Sequence, residues 1–266
     1  MLSSKSQQLK RLKRLGSQAQ ARREEGVMIV EGPTLVVEAL ASRLEVEVVY
    51  AEAGVALPGE LADLDVVWTQ PGALRSVLPT VNPQPLVAVV VVPEWTLADL
   101  DPARPVLVIA EGRDPGNVGT LWRTAEAAGF AGVVLTEDSV DPTNPKVLRA
   151  SAGAALRLPL IVAGPSLPLF DLLRGQGRQV LATAVRDGAR PHDTVDLRTA
   201  AIVLGNEAHG LSDELMAAAD ALICIELAGP TESLNVAAAG AVVCFEALRQ
   251  VRRTPSPITL DTKTEG

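Results

Sequence analysis

Cysteine and histidine are scarce in this sequence, with two of each in 266 residues. Cys224 and Cys244 both lie in apolar stretches and read as small core residues, a pattern that suits a reducing cytoplasm. With only His192 and His209 available, no cluster has metal-ligand spacing, and no metal site is expected. No apolar run reaches the ~18 residues that a membrane-spanning helix needs. The longest runs, such as 86–92, are strand-sized, so no membrane partner is expected. Residues 1–25 are charged where a secretory signal carries an apolar centre, which adds to the expectation of a cytoplasmic protein. Excess positive charge is missing too. The net charge is −8, unlike that of a typical nucleic-acid binder.

What is present is a chain long enough for two domains with real cores, at 47% hydrophobic composition. Its charge is unevenly distributed. Residues 1–23 hold Lys5, Lys10, Arg11, Lys13, Arg14, Arg22 and Arg23 and no acid, while the remainder carries 17 basic and 32 acidic residues, a balance of −15. Such asymmetry suggests a basic arm for a nucleic-acid partner, with Lys10, Arg11, Lys13, Arg14, Arg22 and Arg23 as the contact residues. A solvated helix is the plainer alternative.

Leu9, Leu12 and Leu15 at i, i+3 spacing predict one helix over residues 4–22. Strands at 27–30, 46–50, 66–69 and 86–92 then alternate with helices at 33–41, 57–64 and 71–78, the pattern of a small α/β domain. Residues 93–105, with three prolines, read as a linker. Beyond it, strands at 106–110, 132–136, 159–163, 179–184, 201–204 and 221–225 alternate with helices at 118–128, 167–175, 212–219 and 233–252, with a short helical stretch near 146–152. That order predicts a parallel sheet covered on both faces. Residues 254–266 read as a frayed tail.

The second half is organised around one stretch. A strand ending in Cys224-Ile225 runs into Glu226-Leu227-Ala228-Gly229-Pro230-Thr231-Glu232-Ser233-Leu234-Asn235, and then into a helix apolar nearly all round, which should be buried. Ser233 and Asn235 suit a helix start, and the Gly-bearing loop brings bare backbone within reach of a ligand. Two other strands end alike, in Gly205-Asn206-Glu207-Ala208-His209-Gly210 and in the segment carrying Asn117-x-Gly119-x-x-x-Arg123. Together, in this order and spacing, the three segments resemble the motifs of the SpoU-type RNA ribose 2′-O-methyltransferases of the SPOUT superfamily. Residues 22–33 and 82–89 resemble, more loosely, the L30e-like substrate-binding domain that often precedes that catalytic domain.

The resemblance implies an α/β protein with an L30e-like domain at 1–92, a linker at 93–105, and an S-adenosylmethionine (AdoMet)-dependent parallel-sheet domain at 106–253 closed by a C-terminal trefoil knot. It implies Gly205, Ile225 and Leu234, with Leu204, Leu227 and Gly210, as cofactor contacts, because backbone-lined apolar loops suit adenine. It implies Arg123, Asn117, Glu207, Ser233 and Asn235 as the catalytic set. Orientation of hydroxyl and methyl donor supplies much of the rate in such a transfer. A guanidinium is charged under ordinary conditions, so Arg123 suits a phosphate clamp that also stabilises developing alkoxide. The partner implied is RNA, ribosomal rather than transfer RNA, and the assembly a homodimer through the catalytic domain. Ala228 stands where many relatives carry methionine, and Ala208 where glycine is usual. Two other classes stay open on residue pattern. Strand 106–110 with glycines 112, 116 and 119 imitates a dinucleotide-binding unit of an NAD-dependent oxidoreductase, although the spacing is G-x3-G-x2-G. A non-catalytic RNA-binding protein could use the same fold.

Overall fold

The computed structural model describes residues 1–3, 5–80, 82–206 and 209–253. The N-terminal half contains α1 (Gln7–Ser17), α2 (Ala19–Glu25), β1 (Val27–Glu31), α3 (Pro33–Ala41), β2 (Val46–Glu52), β3 (Val66–Thr69) and β4 (Leu86–Val91). Its four strands are ordered β1-β4-β2-β3. The C-terminal half contains β5 (Val106–Ile109), α4 (Pro115–Ala127), β6 (Gly132–Leu135), α5 (Pro145–Ala150), β7 (Leu160–Val162), α6 (Ser166–Gly175), β8 (Val180–Thr183), β9 (Arg190–Pro191), β10 (Ala201–Leu204), α7 (Asp213–Ala218), β11 (Ala221–Cys224) and α8 (Val236–Arg253). Its seven strands are all parallel and ordered β7-β6-β5-β10-β8-β11-β9. From β5 the chain builds outward to β7, then crosses to β8 on the far side of β10. That reversal opens a crevice at the C-terminal ends of the strands.

The expected alternation is present, with local corrections. The helix expected over 4–22 is two helices, because Gln18 is extended between them. The helix expected at 57–64 shrinks to a 3₁₀ turn at Gly59–Leu61 behind Pro58. At 71–78 there is a run of turns, since Gly72 sits at φ +77° and Glu52 takes the Leu74 N–H at 3.0 Å. The last helix begins at Val236 rather than 233, and Asn235 caps it by accepting from the N–H groups of Ala237 (2.9 Å) and Ala238 (3.3 Å). The tail expected at 254–266 lies outside the described residues.

α8 is amphipathic rather than buried all round. Ala237, Gly240, Val243, Cys244 and Ala247 face inward, while Val242 and Phe245 are 40% and 50% exposed. Gly240 sets how closely it docks: a Cβ there would lie 2.2 Å from Leu121 Cδ2 on α4 and 2.9 Å from Leu204 Cδ1 on β10.

The two halves share one apolar core, in which Met28, Val30, Val36 and Ala39 belong with Trp122, Ala125, Leu148 and Ala155. Arg22 stitches this seam. It is 3% exposed, and its guanidinium donates to the carbonyl of Leu15 (2.7 Å), to Thr143 Oγ1 (2.9 Å) and to the Asp141 carboxylate, which is 10% exposed. The sequence pattern suggested Arg22 as an RNA contact; the structure instead makes it a buried tie between α2 and the loop before α5. Removing one partner of a buried pair strands the other charge. Arg22→Ala should accordingly cost about 3–5 kcal/mol in urea denaturation, while Lys13→Ala on the exposed face of α1 stays within about 0.5 kcal/mol. Equal stabilities for the two variants would remove Arg22 from this role.

A candidate cofactor pocket at the strand ends

The C-terminal ends of β8, β10 and β11, together with the first turns of α8, enclose a cavity of about 780 Å³. β10 contributes Leu204 and then Gly205, Asn206, His209, Gly210 and Leu211 from the following loop. That loop closes on itself through Asn206 N–H to Gly210 O (3.1 Å) and Gly210 N–H to Asn206 O (2.8 Å). A Cβ on Gly205 would lie 2.4 Å from the Gly210 carbonyl carbon, so glycine is needed there for the loop's own closure before any ligand is considered. Asn206 also donates from Nδ2 to the Glu111 carbonyl at 3.0 Å, tying this loop to the loop after β5.

β11 contributes Ile223 and Cys224, and the chain continues along the wall with Ile225 and Leu227, then Ser233, Leu234, Asn235 and Val236. All six residues expected to contact the cofactor (Leu204, Gly205, Gly210, Ile225, Leu227 and Leu234) line this one cavity. Of the expected catalytic residues, Ser233 and Asn235 line it as well. Asn117, at the start of α4, is joined to them through a 3.3 Å hydrogen bond from Asn235 Nδ2 to its Oδ1. Glu207 and Ala208 lie outside the described residues. Arg123 is exposed on α4 and does not line the cavity of its own chain.

Sequence reading missed the loop after β8, where Thr183, Ala184, Val185 and Arg186 form the opposite wall. The signal was the strand itself: ligands of open parallel sheets sit beyond strand C-termini, and β8 is the neighbour of both β10 and β11. Arg186 is held there by Asp213 at 2.9 Å. Burial, and then the charge of Glu226, raise the Cys224 thiol pKa, which disfavours a thiolate there.

Two of the three glycines that imitate a dinucleotide loop are otherwise occupied. A Cβ at Gly112 would lie 2.7 Å from Ile109 Cγ2 and 2.9 Å from Val118 Cγ2, and one at Gly119 would lie 2.5 Å from both Ala150 Cβ and the Val147 carbonyl. Internal packing fills the space next to both, so they form no pyrophosphate cradle. Among the described residues there is also no His/Cys/Asp/Glu cluster able to hold a metal ion, and no helix long and apolar enough to cross a membrane.

Three of the seven basic residues in the N-terminal segment are committed to the protein itself. Beyond Arg22, Arg11 makes a forked pair with Glu47 (2.7 and 2.8 Å) and a bond to Glu25 (2.6 Å), and Arg14 also pairs with Glu25. The Glu47 hydrogen bond is the largest influence holding the Arg11 pKa above its ordinary value. Lys10, Lys13 and Arg23 remain exposed.

A parallel sheet with a pocket at its strand ends, joined by Asn235 to the Asn117 segment, agrees with what the three-motif resemblance implies. Residues 104–245 match the SpoU rRNA Methylase family, and residues 6–88 match the MRM3-like substrate binding domain. The chain belongs to the SpoU rRNA methylase family. It is 34% identical over 245 residues (91% of this chain, 96% of the relative) to the Bacillus subtilis 23S rRNA (guanosine(2553)-2′-O)-methyltransferase RlmP. Its structure resembles the AdoMet-bound rRNA methyltransferase of Sinorhizobium meliloti, with a TM-score of 0.84, 28% identity, and coverage of 94% of this chain and 97% of that one. The fold is also that of the AdoMet complex of AviRb from Streptomyces viridochromogenes, with a TM-score of 0.82 at 22% identity, covering 93% and 99% of the two chains.

AdoMet is the cofactor of this family, and the cavity fits it: apolar side chains for a purine, free loop backbone for its edge, and ample volume. Leu234 stands at the cavity wall with one side open to solvent. Leu234→Asp should therefore leave the fold intact but weaken AdoMet binding at least ~100-fold, since a carboxylate in an apolar wall costs several kcal/mol. Calorimetric titration with unchanged affinity would move the cofactor elsewhere.

Proposed function

We propose that this protein transfers a methyl group from AdoMet to the ribose 2′-hydroxyl of a guanosine in 23S rRNA, in the cytoplasm. The convergence of two motif loops on one cavity, with the third motif tied to it by the Asn235–Asn117 hydrogen bond, carries this reading. The guanosine target follows the B. subtilis relative, whose name specifies it. Mapping 2′-O-methyl sites in ribosomal and transfer RNA from a deletion strain tests the target. Loss of a tRNA methyl with intact 23S rRNA would overturn it.

When bound, AdoMet supplies an electrophilic methyl group. The chain's part is to bind and orient. Ile225, Leu227 and Leu234 provide the apolar surface, and Gly205, Asn206 and Gly210 provide backbone held by the Asn206–Gly210 pair. Asn235 is held by two helix N–H groups and by Asn117, so its position is set before substrate arrives. Arg123 clamps the phosphate beside the target ribose and stabilises the negative charge that develops on the 2′-oxygen.

Arg123 does so, in this reading, from a second copy. It is exposed and away from its own cavity, and α8 presents an unpartnered apolar stripe through Val242 and Phe245. A two-fold homodimer buries that stripe and completes the site. The same reading carries the trefoil knot, with α8 threaded past the 205–210 and 225–234 loops.

Arg123→Ala should bind AdoMet normally and transfer methyl at least ~100-fold more slowly, as for loss of a transition-state contact. Arg123→Lys should recover little, because an ammonium lacks the planar fork. Near-normal turnover in either variant would exclude the role. Phe245→Asp should sediment as an inactive monomer, whereas a fully active monomeric wild type would refute the dimer.

A further inference from the structure

Several arginines spend their donors internally. Arg22 binds Leu15, Thr143 and Asp141, Arg157 binds Glu38 and Glu126, and Arg178 binds the carbonyls of Asp101, Arg104 and Thr199. Arg149 on α5 differs. Its side chain is 43% exposed, and its nearest acid, Glu31, lies 3.7 Å from Nη1, beyond hydrogen-bond range. Glu31, at the end of β1, is its opposite, with a side chain only 4% exposed. Glu31 Oε2 accepts from the Thr80 hydroxyl at 3.0 Å, while Oε1 is buried with no hydrogen-bond partner among the described residues. A buried carboxylate with an orphan oxygen is costly unless a cation stays near. Glu31 thus holds the Arg149 guanidinium at the seam by charge without consuming its donors.

The placement of this open fork matters. α5 lies against α4 at Gly119, one turn before Arg123. Lys146, one turn before Arg149 on α5, is exposed as well. These cations sit between the N-terminal half and Arg123, in a protein whose net charge of −8 leaves few places for a polyanion.

We propose that Arg149, assisted by Lys146, is a phosphate-binding site for the substrate RNA as its backbone passes from the N-terminal half to the catalytic centre, with Glu31 as the residue that positions the fork. A guanidinium can take a phosphate through two parallel N–H bonds, and one such contact carries about one counterion's worth of salt dependence. The inference rests on the RNA methyltransferase reading, and direct binding separates the two.

The test measures affinity for a 23S rRNA transcript against salt, AdoMet affinity by calorimetry, and steady-state methyl transfer. Arg149→Ala should raise the RNA Kd and KM about tenfold, reduce the slope of log Kd on log salt by about one, and leave AdoMet affinity unchanged. Arg149→Lys should keep the slope and regain only part of the affinity. The double variant Glu31→Gln/Arg149→Ala removes the stranded buried charge and should show the same lost slope in a protein of near wild-type stability. Glu31→Gln alone should raise KM without changing the slope. An unchanged slope in the double variant, or a loss of thermal stability alone in Arg149→Ala, would make Arg149 a structural partner of Glu31 and overturn the proposal. A wild type that binds the transcript but methylates neither 23S rRNA nor tRNA would instead overturn the functional reading, leaving the slopes to decide the phosphate site.

Discussion

The close approach of α8 to α4 and β10 is the constraint on which the site depends. It exists because residue 240 has no side chain, so that Leu121 and Leu204 occupy the space a Cβ would fill. Close packing tolerates little added volume, and a helix lifted here by an ångström would carry Asn235 and the 225–235 loop with it. One wall of the cavity would then move relative to the loop after β10. The Asn235–Asn117 bond spans the same contact, so the catalytic motifs are held together by a packing geometry rather than by proximity in sequence.

Charge follows a similar logic. The N-terminal segment is rich in cations, yet much of that charge is neutralised where it stands, by Glu25 and Glu47 on the surface and by Asp141 in the interior. A guanidinium whose donors are all paired has no free fork to offer a phosphate. What it contributes instead is a fixed relation between the substrate-binding-like half and the pocket, reinforced by a core that continues across the seam. Loose cations therefore matter more than the total count, and those nearest the seam and Arg123 sit on α5.

The cavity illustrates why an enzyme of this family can work with ordinary side chains. Its walls are the C-terminal ends of parallel strands and the loops that follow them, where ligands of open α/β sheets sit. Small residues and aliphatics shape them, and a few amides fix the geometry. Preorganised position is what such a site offers the reaction.

The sequence by itself determined the alternation of strands and helices, because parallel strands buried on both faces, such as Val106–Ile109 and Ala201–Leu204, leave unbroken apolar runs. It also marked Gly205, Ile225, Leu227 and Leu234, which line the cavity, since they fall in loops after such strands. Local pattern failed where tertiary contacts decide. Gln18 splits the first helix, and turn geometry at Gly72 replaces an expected one. The loop after β8 joins the pocket only because β8 lies between β10 and β11. The interior position of Arg22 was hidden for the same reason: its partners Asp141 and Thr143 are about 120 residues away in sequence. Pairing across such a distance leaves no periodic trace, so only the folded chain could separate the arginines that hold the protein together from those left open to solvent.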